Sequence, residues 1–203
     1  MKILLSGFEP FNKARTNSSE LVVREIEKQD FDFEVTCVIL PVVYQAAFTQ
    51  LKAIFDEVKP DAVISLGQAE GRNALSLECN ARNKDDVLMA DNNGEIRSEM
   101  VIIDAAPELL PTSLPIEDIY QELMKSQVPV EYSESAGNFL CNNLFYNSQF
   151  AFTNISSGFI HLPVAEIQAP EFPQKPHLPL EVLVRGIEIT LKTTASVLGE
   201  PTQ

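Results

Sequence analysis

Apolar positions recur along this chain in two alternating spacings, one suited to strands and one to helices. Lys2 to Ser6 (KILLS) is a short apolar run closed by Gly7, the pattern of a buried parallel strand, and a Pro-containing loop, GFEPFN, overlaps its end. Asn17 with Glu20 three residues later is spaced as a capping pair for a helix over Ser18 to Lys28, on which Glu20 and Arg24 stand four apart. Phe33 to Leu40 (FEVTCVIL) alternates and is β-branched, which predicts a second strand with Cys37 among apolar neighbours. Tyr44, Ala47, Phe48, Leu51, Ile54 and Val58 mark one face of a helix, and Ala62 to Leu66 (AVISL) is another buried-strand pattern.

The second half is less regular. Leu75 to Ala81 (LSLECNA) alternates, with Leu75 and Leu77 on one side and Ser76 and Glu78 on the other. Residues 82–111 are rich in Asp, Asn, Gly and Pro and read as one long excursion, of a length more often functional than idle. Pro115 opens a helix marked by Ile116, Ile119, Tyr120 and Leu123, and Pro129 to Ser133 (PVEYS) is a strand candidate. SAGNFLCNNLFY, Ser135 to Tyr146, opens a further helix with Cys141 in its first turn. Ser157 to Leu162 (SGFIHL) is a strand stopped by Pro163. A Pro-rich stretch between Pro170 and Pro179 reads as a mobile loop before a C-terminal helix set out by Leu180, Leu183, Val184, Ile187 and Leu191. Strands alternating with amphipathic helices imply an α/β chain whose largely parallel sheet is covered on both faces. There is no repeat and no break in composition, so residues 1–203 are expected to form a single domain.

Composition narrows the partners. With 15 basic against 29 acidic residues and a net charge of −14, the surface should repel nucleic acid and anionic membrane faces. The three cysteines make no even disulfide framework and lack the paired spacing of a zinc site, which favours a reducing compartment. The apolar run in MKILLSGFEPF is too short for a signal segment, and no apolar stretch approaches the roughly 20 residues that span a bilayer. A cytoplasmic protein is expected.

Three residues could carry chemistry, each with an ordinary structural alternative. Cys141 is either a small buried hydrophobe or a nucleophile whose thiolate is favoured by the helix start, with backbone N–H groups nearby as an oxyanion site. The chain has only His161 and His177; His177 sits between prolines, whereas His161 ends an apolar strand, where open α/β sheets gather ligands. It is a base or a satisfied core histidine. Glu78 could orient that imidazole or simply face water. Phe8, Phe11 and Phe139 are core, or together sandwich a flat uncharged ring. Gly67 to Arg72 (GQAEGR) lacks the spacing of a phosphate loop.

GFEPF, GQAEGR followed by the segment holding Glu78, ADNNG, TSLPI, SAGNFLCN and GFIHLP occur here in the order found in the pyroglutamyl peptidase I (pyrrolidone carboxyl peptidase) family, which the chain resembles from Lys2 to Pro163. The resemblance implies a three-layer α/β/α sandwich with a twisted, mixed central sheet, and a cytoplasmic cysteine peptidase that removes N-terminal pyroglutamyl residues from peptides. It implies a catalytic Glu78, Cys141 and His161, substrate contacts from Phe8, Phe11, Asn17, Gln68, Asp91 and Phe139, no metal or organic cofactor, and a homotetramer. Where that family usually carries an arginine before the DN of ADNNG this chain has Leu88, and Glu70 replaces a glycine. Cys79 and Asn80 replace an Arg-Val pair, and the stretch from Cys141 to His161 is short. These departures keep two alternatives open: a divergent cysteine amidase of other specificity, and a non-catalytic relative that binds small lactams or protein partners.

Overall fold

A computed structural model describes residues 1–199; positions 200–203 of the expected domain lie outside the described residues. The chain runs β1 (Lys2–Phe8), α1 (Ser18–Ile26), β2 (Glu34–Leu40), α2 (Ala46–Val58), β3 (Ala62–Gln68) and β4 (Leu75–Glu78). Short strands follow: β5 (Asn80–Arg82), β6 (Asp85–Val87), β7 (Arg97–Met100) and β8 (Leu109–Pro111). Then come α3 (Ile116–Lys125), β9 (Val130–Ser133), α4 (Leu140–Ala151), β10 (Ser156–Leu162), β11 (Val164–Ala165), β12 (His177–Leu178) and α5 (Leu180–Gly199).

Six strands form one sheet in the order β2-β1-β3-β10-β4-β9. β2, β1, β3 and β10 are parallel, while β4 pairs antiparallel with β10 and parallel with β9. The sheet is therefore mixed and mostly parallel. Alternation along each strand sends side chains to opposite faces. Ile3, Leu5, Ile64, Leu66, Ile160 and Leu162 pack with Val22, Ile26, Ile119, Leu123, Leu183, Ile187 and Leu191 of α1, α3 and α5. Leu4, Phe8, Val63 and Phe159 pack on the other side with Ala47, Leu51, Leu140, Leu144 and Phe145 of α2 and α4. Each face is closed by helices, which makes three layers. No helix among the described residues is long and apolar enough to cross a membrane.

Several local expectations change. Asn17 caps α1 by accepting from Ser19 N at 2.9 Å, but the carboxylate of Glu20 is taken by Arg24 at 2.7 Å. LSLECNA is two strands: at Cys79 the chain leaves the main sheet, its N–H donating to Ser133 O and its carbonyl accepting from Thr112 N. The excursion is consequently tied down, with β5 paired to β8 and β6 to β7. Strands of three or four residues are too short to leave a period. The Pro-rich stretch after Pro170 is also anchored, because β12 pairs with β11 and Phe172 N donates to Gln168 O. His177 lies on that short strand and is exposed.

Candidate active site

The C-terminal end of β10 delivers His161, 5% exposed, beside Glu78 of β4, which is fully buried. His161 Nδ1 and Glu78 Oε1 are 2.7 Å apart. A carboxylate removed from water costs several kcal/mol unless charges or donors compensate it. Besides the imidazole, Arg72 Nη2 stands 3.7 Å from the same oxygen, and Arg72 is itself held by Glu131 and Ser133 at 3.0 Å each. Glu78 Oε2 is buried without a hydrogen-bond partner among the described residues.

Cys141 lines the same cavity as His161 and stands close enough for its charge to act on the ring. Burial works against a charged imidazole, but the influence of Cys141, followed by that of Glu78, outweighs it and raises His161 from 6.5 to about 9. The Cys37 thiol is pushed up to about 12, first by burial and then by Glu27, and Cys79 is raised by burial and by Glu134, so both are held as thiols.

Local structure places the sulfur. Gly137, at φ +79, takes a left-handed turn that side chains disfavour, and Phe139 is extended at the helix N-cap. The first closed bond of α4 runs from Asn143 N to Phe139 O. The N–H groups of Leu140, Cys141 and Asn142 therefore have no acceptor among the described residues and lie at the positive end of the helix. Asn142 pins this end to the excursion through Arg82 N, Arg82 O and Lys84 O, at 2.8, 2.8 and 3.0 Å. β3 passes so close that a Cβ on Gly67 would lie 2.9 Å from Cys141 Sγ and 2.8 Å from Phe159 Cζ. Only glycine leaves the sulfur its space.

Cys141 and His161 face a cavity of about 420 Å³ also lined by Phe8, Phe11, Asn17, Gln68 and Phe139. Phe11 and Phe139 approach to 5.1 Å between centroids, and Tyr44 meets Phe139 edge-on at 5.7 Å. Gln68 Oε1 accepts from Ser18 N and from Gln168 Nε2, while its Nε2 makes no hydrogen bond among the described residues. A groove of about 400 Å³ adjoins the cavity, sharing Phe11, Asn17, Gln68 and Glu70 with it and walled beyond them by Glu171 and Phe172.

Eight of the nine residues singled out by the sequence thus meet in one place, and Asp91 does not. It is absent from the cavity wall. Its Oδ2 accepts from Tyr44 N at 2.9 Å and its Oδ1 from Asn93 N and Glu95 N, so it shapes a loop and supports Tyr44 behind Phe139. Leu88 points outward, 85% exposed, while Met89 reaches the cavity. Glu70 sits on the rim and pairs with Lys175 at 3.6 Å. Sequence reasoning gave no role to Gly67, Arg72 or Gln168. The first two lie inside the GQAEGR block and were within reach, but Gln168 joins segments 100 and 152 residues away and carries no local signal. Among the described residues no group of three or more His, Cys, Asp or Glu is placed to hold a metal ion.

Comparison with known proteins places the whole chain beside one family. The family model described as Pyroglutamyl peptidase matches residues 1–197. The pyrrolidone-carboxylate peptidase of Brachyspira hyodysenteriae is 34% identical over 198 residues, covering 96% of this chain and 98% of the relative. That of Coprothermobacter proteolyticus is 34% identical over 203, with 97% and 98% covered. Among solved structures, pyrrolidone carboxyl peptidase from the hyperthermophile Pyrococcus furiosus superposes with a TM-score of 0.91 at 30% identity, over 98% of this chain and 100% of that one.

Proposed function

The chain belongs to the pyroglutamyl peptidase family, and on that premise we propose that it is a cysteine omega-peptidase hydrolysing the bond after an N-terminal pyroglutamyl residue. The observation that carries this reading is the Glu78–His161 pair beside Cys141 on the wall of an aromatic cavity. In this reading the Cys141 sulfur, as thiolate, attacks the pyroglutamyl carbonyl, and the open N–H groups at the start of α4 hold the oxyanion. The His161 imidazolium gives its proton to the departing amine, and the acyl-enzyme forms. His161 then takes a proton from water as it attacks the thioester, and Cys141 leaves. Glu78, accepting from Nδ1–H, keeps the other ring nitrogen toward the sulfur.

A pyroglutamyl ring is a small neutral lactam, which aromatic walls and amide partners suit better than charges do. An ordinary N-terminus would bring an ammonium ion into the same walls and pay for its desolvation. The leaving peptide runs into the adjoining groove. We take residues 1–203 as one peptidase domain, since both helical layers of the described residues close on a single sheet. Three unpaired cysteines support a cytoplasmic setting. The exposed Leu88, Ile96, Met100 and Val101 support the homotetramer that the family resemblance implies.

The test is release of aminomethylcoumarin from pyroglutamyl, prolyl and alanyl amides by the purified protein in reductant. Cleavage of the pyroglutamyl amide alone is expected. Equal cleavage of the alanyl amide, or turnover of none, overturns the reading.

A further inference from the structure

One buried amide links three distant segments behind the cavity. Gln168, 1% exposed, ends the short 3-10 turn that follows β11. Its Oε1 accepts from Ala165 N at 2.9 Å, and its Nε2 donates to Thr16 O at 3.0 Å and to Gln68 Oε1 at 2.9 Å. Both amide hydrogens and the carbonyl are thereby used. Turning the amide over would set a donor against the Ala165 N–H and an acceptor against two acceptors, so its orientation is dictated by its partners.

That constraint passes to Gln68. Its oxygen receives Gln168 Nε2 and also Ser18 N, at 2.8 Å, and two donors on one oxygen forbid the flipped amide. Among the described residues the Nε2 of Gln68 is left without a partner, on a side chain that lines the cavity. We infer that Gln168 is a positioning residue that sets the polarity of the Gln68 amide, so that the cavity offers N–H donors to a ring carbonyl. The inference rests on the pyroglutamyl reading and deepens it. The ligand class is a five-membered lactam, recognised through the one group that distinguishes it from proline. A buried donor rejects an analogue lacking the acceptor because the donor is then left unpaired.

Gln168→Glu tests this. The substitution is nearly isosteric and keeps an acceptor for Ala165 N–H, but it places a carboxylate oxygen against Thr16 O and Gln68 Oε1 and so favours the flipped Gln68. Three quantities are measured: the inhibition constant of 2-pyrrolidone against a pyroglutamyl amide, kcat and KM for that amide, and the rate at which dithiodipyridine titrates Cys141. We expect 2-pyrrolidone to weaken at least about tenfold and KM to rise in step, with kcat and thiol reactivity each within threefold. Gln168→Met, which removes one of the two donors to Gln68 without adding a carboxylate, should weaken 2-pyrrolidone about threefold. Unchanged 2-pyrrolidone binding in both variants overturns the inference while leaving the wild-type peptidase reading intact. A parallel loss of lactam binding and thiol reactivity in both means a merely structural role and also overturns it. Absence of turnover and of 2-pyrrolidone binding in the wild-type protein removes both this inference and the reading beneath it.

Discussion

The two faces of the central sheet bury comparable side chains to different ends. On the face covered by α1, α3 and α5 the core is aliphatic, and the buried hydroxyls of α5 stay local: Thr190 donates to Gly186 O and Thr194 to Thr190 O. The face covered by α2 and α4 is rich in Phe and Tyr, and its buried polar groups reach across the chain. Asn142 holds the excursion, Asn143 donates to Asp85 at 2.7 Å, and Asp85 accepts from Arg97 at 3.1 Å. Apolar burial dominates the core of one face, whereas long-range directional bonds also position groups within the core of the other. A sheet whose faces are so divided should answer mutation in two different ways.

The largest effect belongs to the site. Cys141→Ser should lower kcat/KM for a pyroglutamyl amide by about 10⁴-fold, the scale on which members of such triads act, because a hydroxyl is far harder to ionise than a thiol. The melting temperature should stay within about 2 °C, since the exchange nearly conserves shape. Retained activity would break the assignment of the nucleophile.

The next effects compare the faces directly. Arg97 bridges Asp85 and Glu95 and lies over the Tyr44 ring at 4.1 Å, so Arg97→Met leaves the fully buried Asp85 with Asn143 as its remaining partner. Stranding a buried charge costs about 3–5 kcal/mol, and because Tyr44 abuts Phe139 the KM should rise as well. On the aliphatic face, Leu123→Ala should cost about 3 kcal/mol through lost contacts and a cavity, with kcat/KM of the folded protein unchanged. Urea unfolding monitored together with activity reads both. If the two variants lose stability and KM alike, the division between the faces is wrong.

How much of this was legible follows from the range of the forces involved. β1, β3 and β10 announce themselves as short apolar runs, because a parallel strand is buried on both faces, and the helical faces by their period. Cys141 and His161 were legible as ends of such elements. The position of β10 between β3 and β4, and the antiparallel sense of β4, were not, since they depend on pairings such as Ile160 with Leu77. Glu78 sat on an apparently water-facing side of its strand, and its burial follows from β9, β10 and Arg72 closing around it. The family resemblance set Asp91 among the pocket residues, but the carboxylate is spent on three backbone N–H groups. Gln168 had no period, motif or neighbour to mark it.

The smallest effect is the most specific to the aromatic face. His161 is raised to about 9 although burial opposes its charge, so the imidazolium that protonates the leaving amine persists through neutral pH. As pH rises through about 9 that proton is lost, and kcat/KM should fall roughly tenfold per unit beyond it. Stability follows the same sign. A histidine raised in the folded state contributes fully below its ordinary 6.5 and loses that contribution as pH passes about 9. Glu78→Gln removes one of the charges supporting the imidazolium, so the alkaline limb should move down toward 6.5. Leu123→Ala, across the sheet, should leave that limb near 9. A limb in Glu78→Gln that coincides with wild type would mean that the carboxylate orients the ring without supporting its charge, and one in Leu123→Ala that moves would mean that the two faces are coupled through the strands between them.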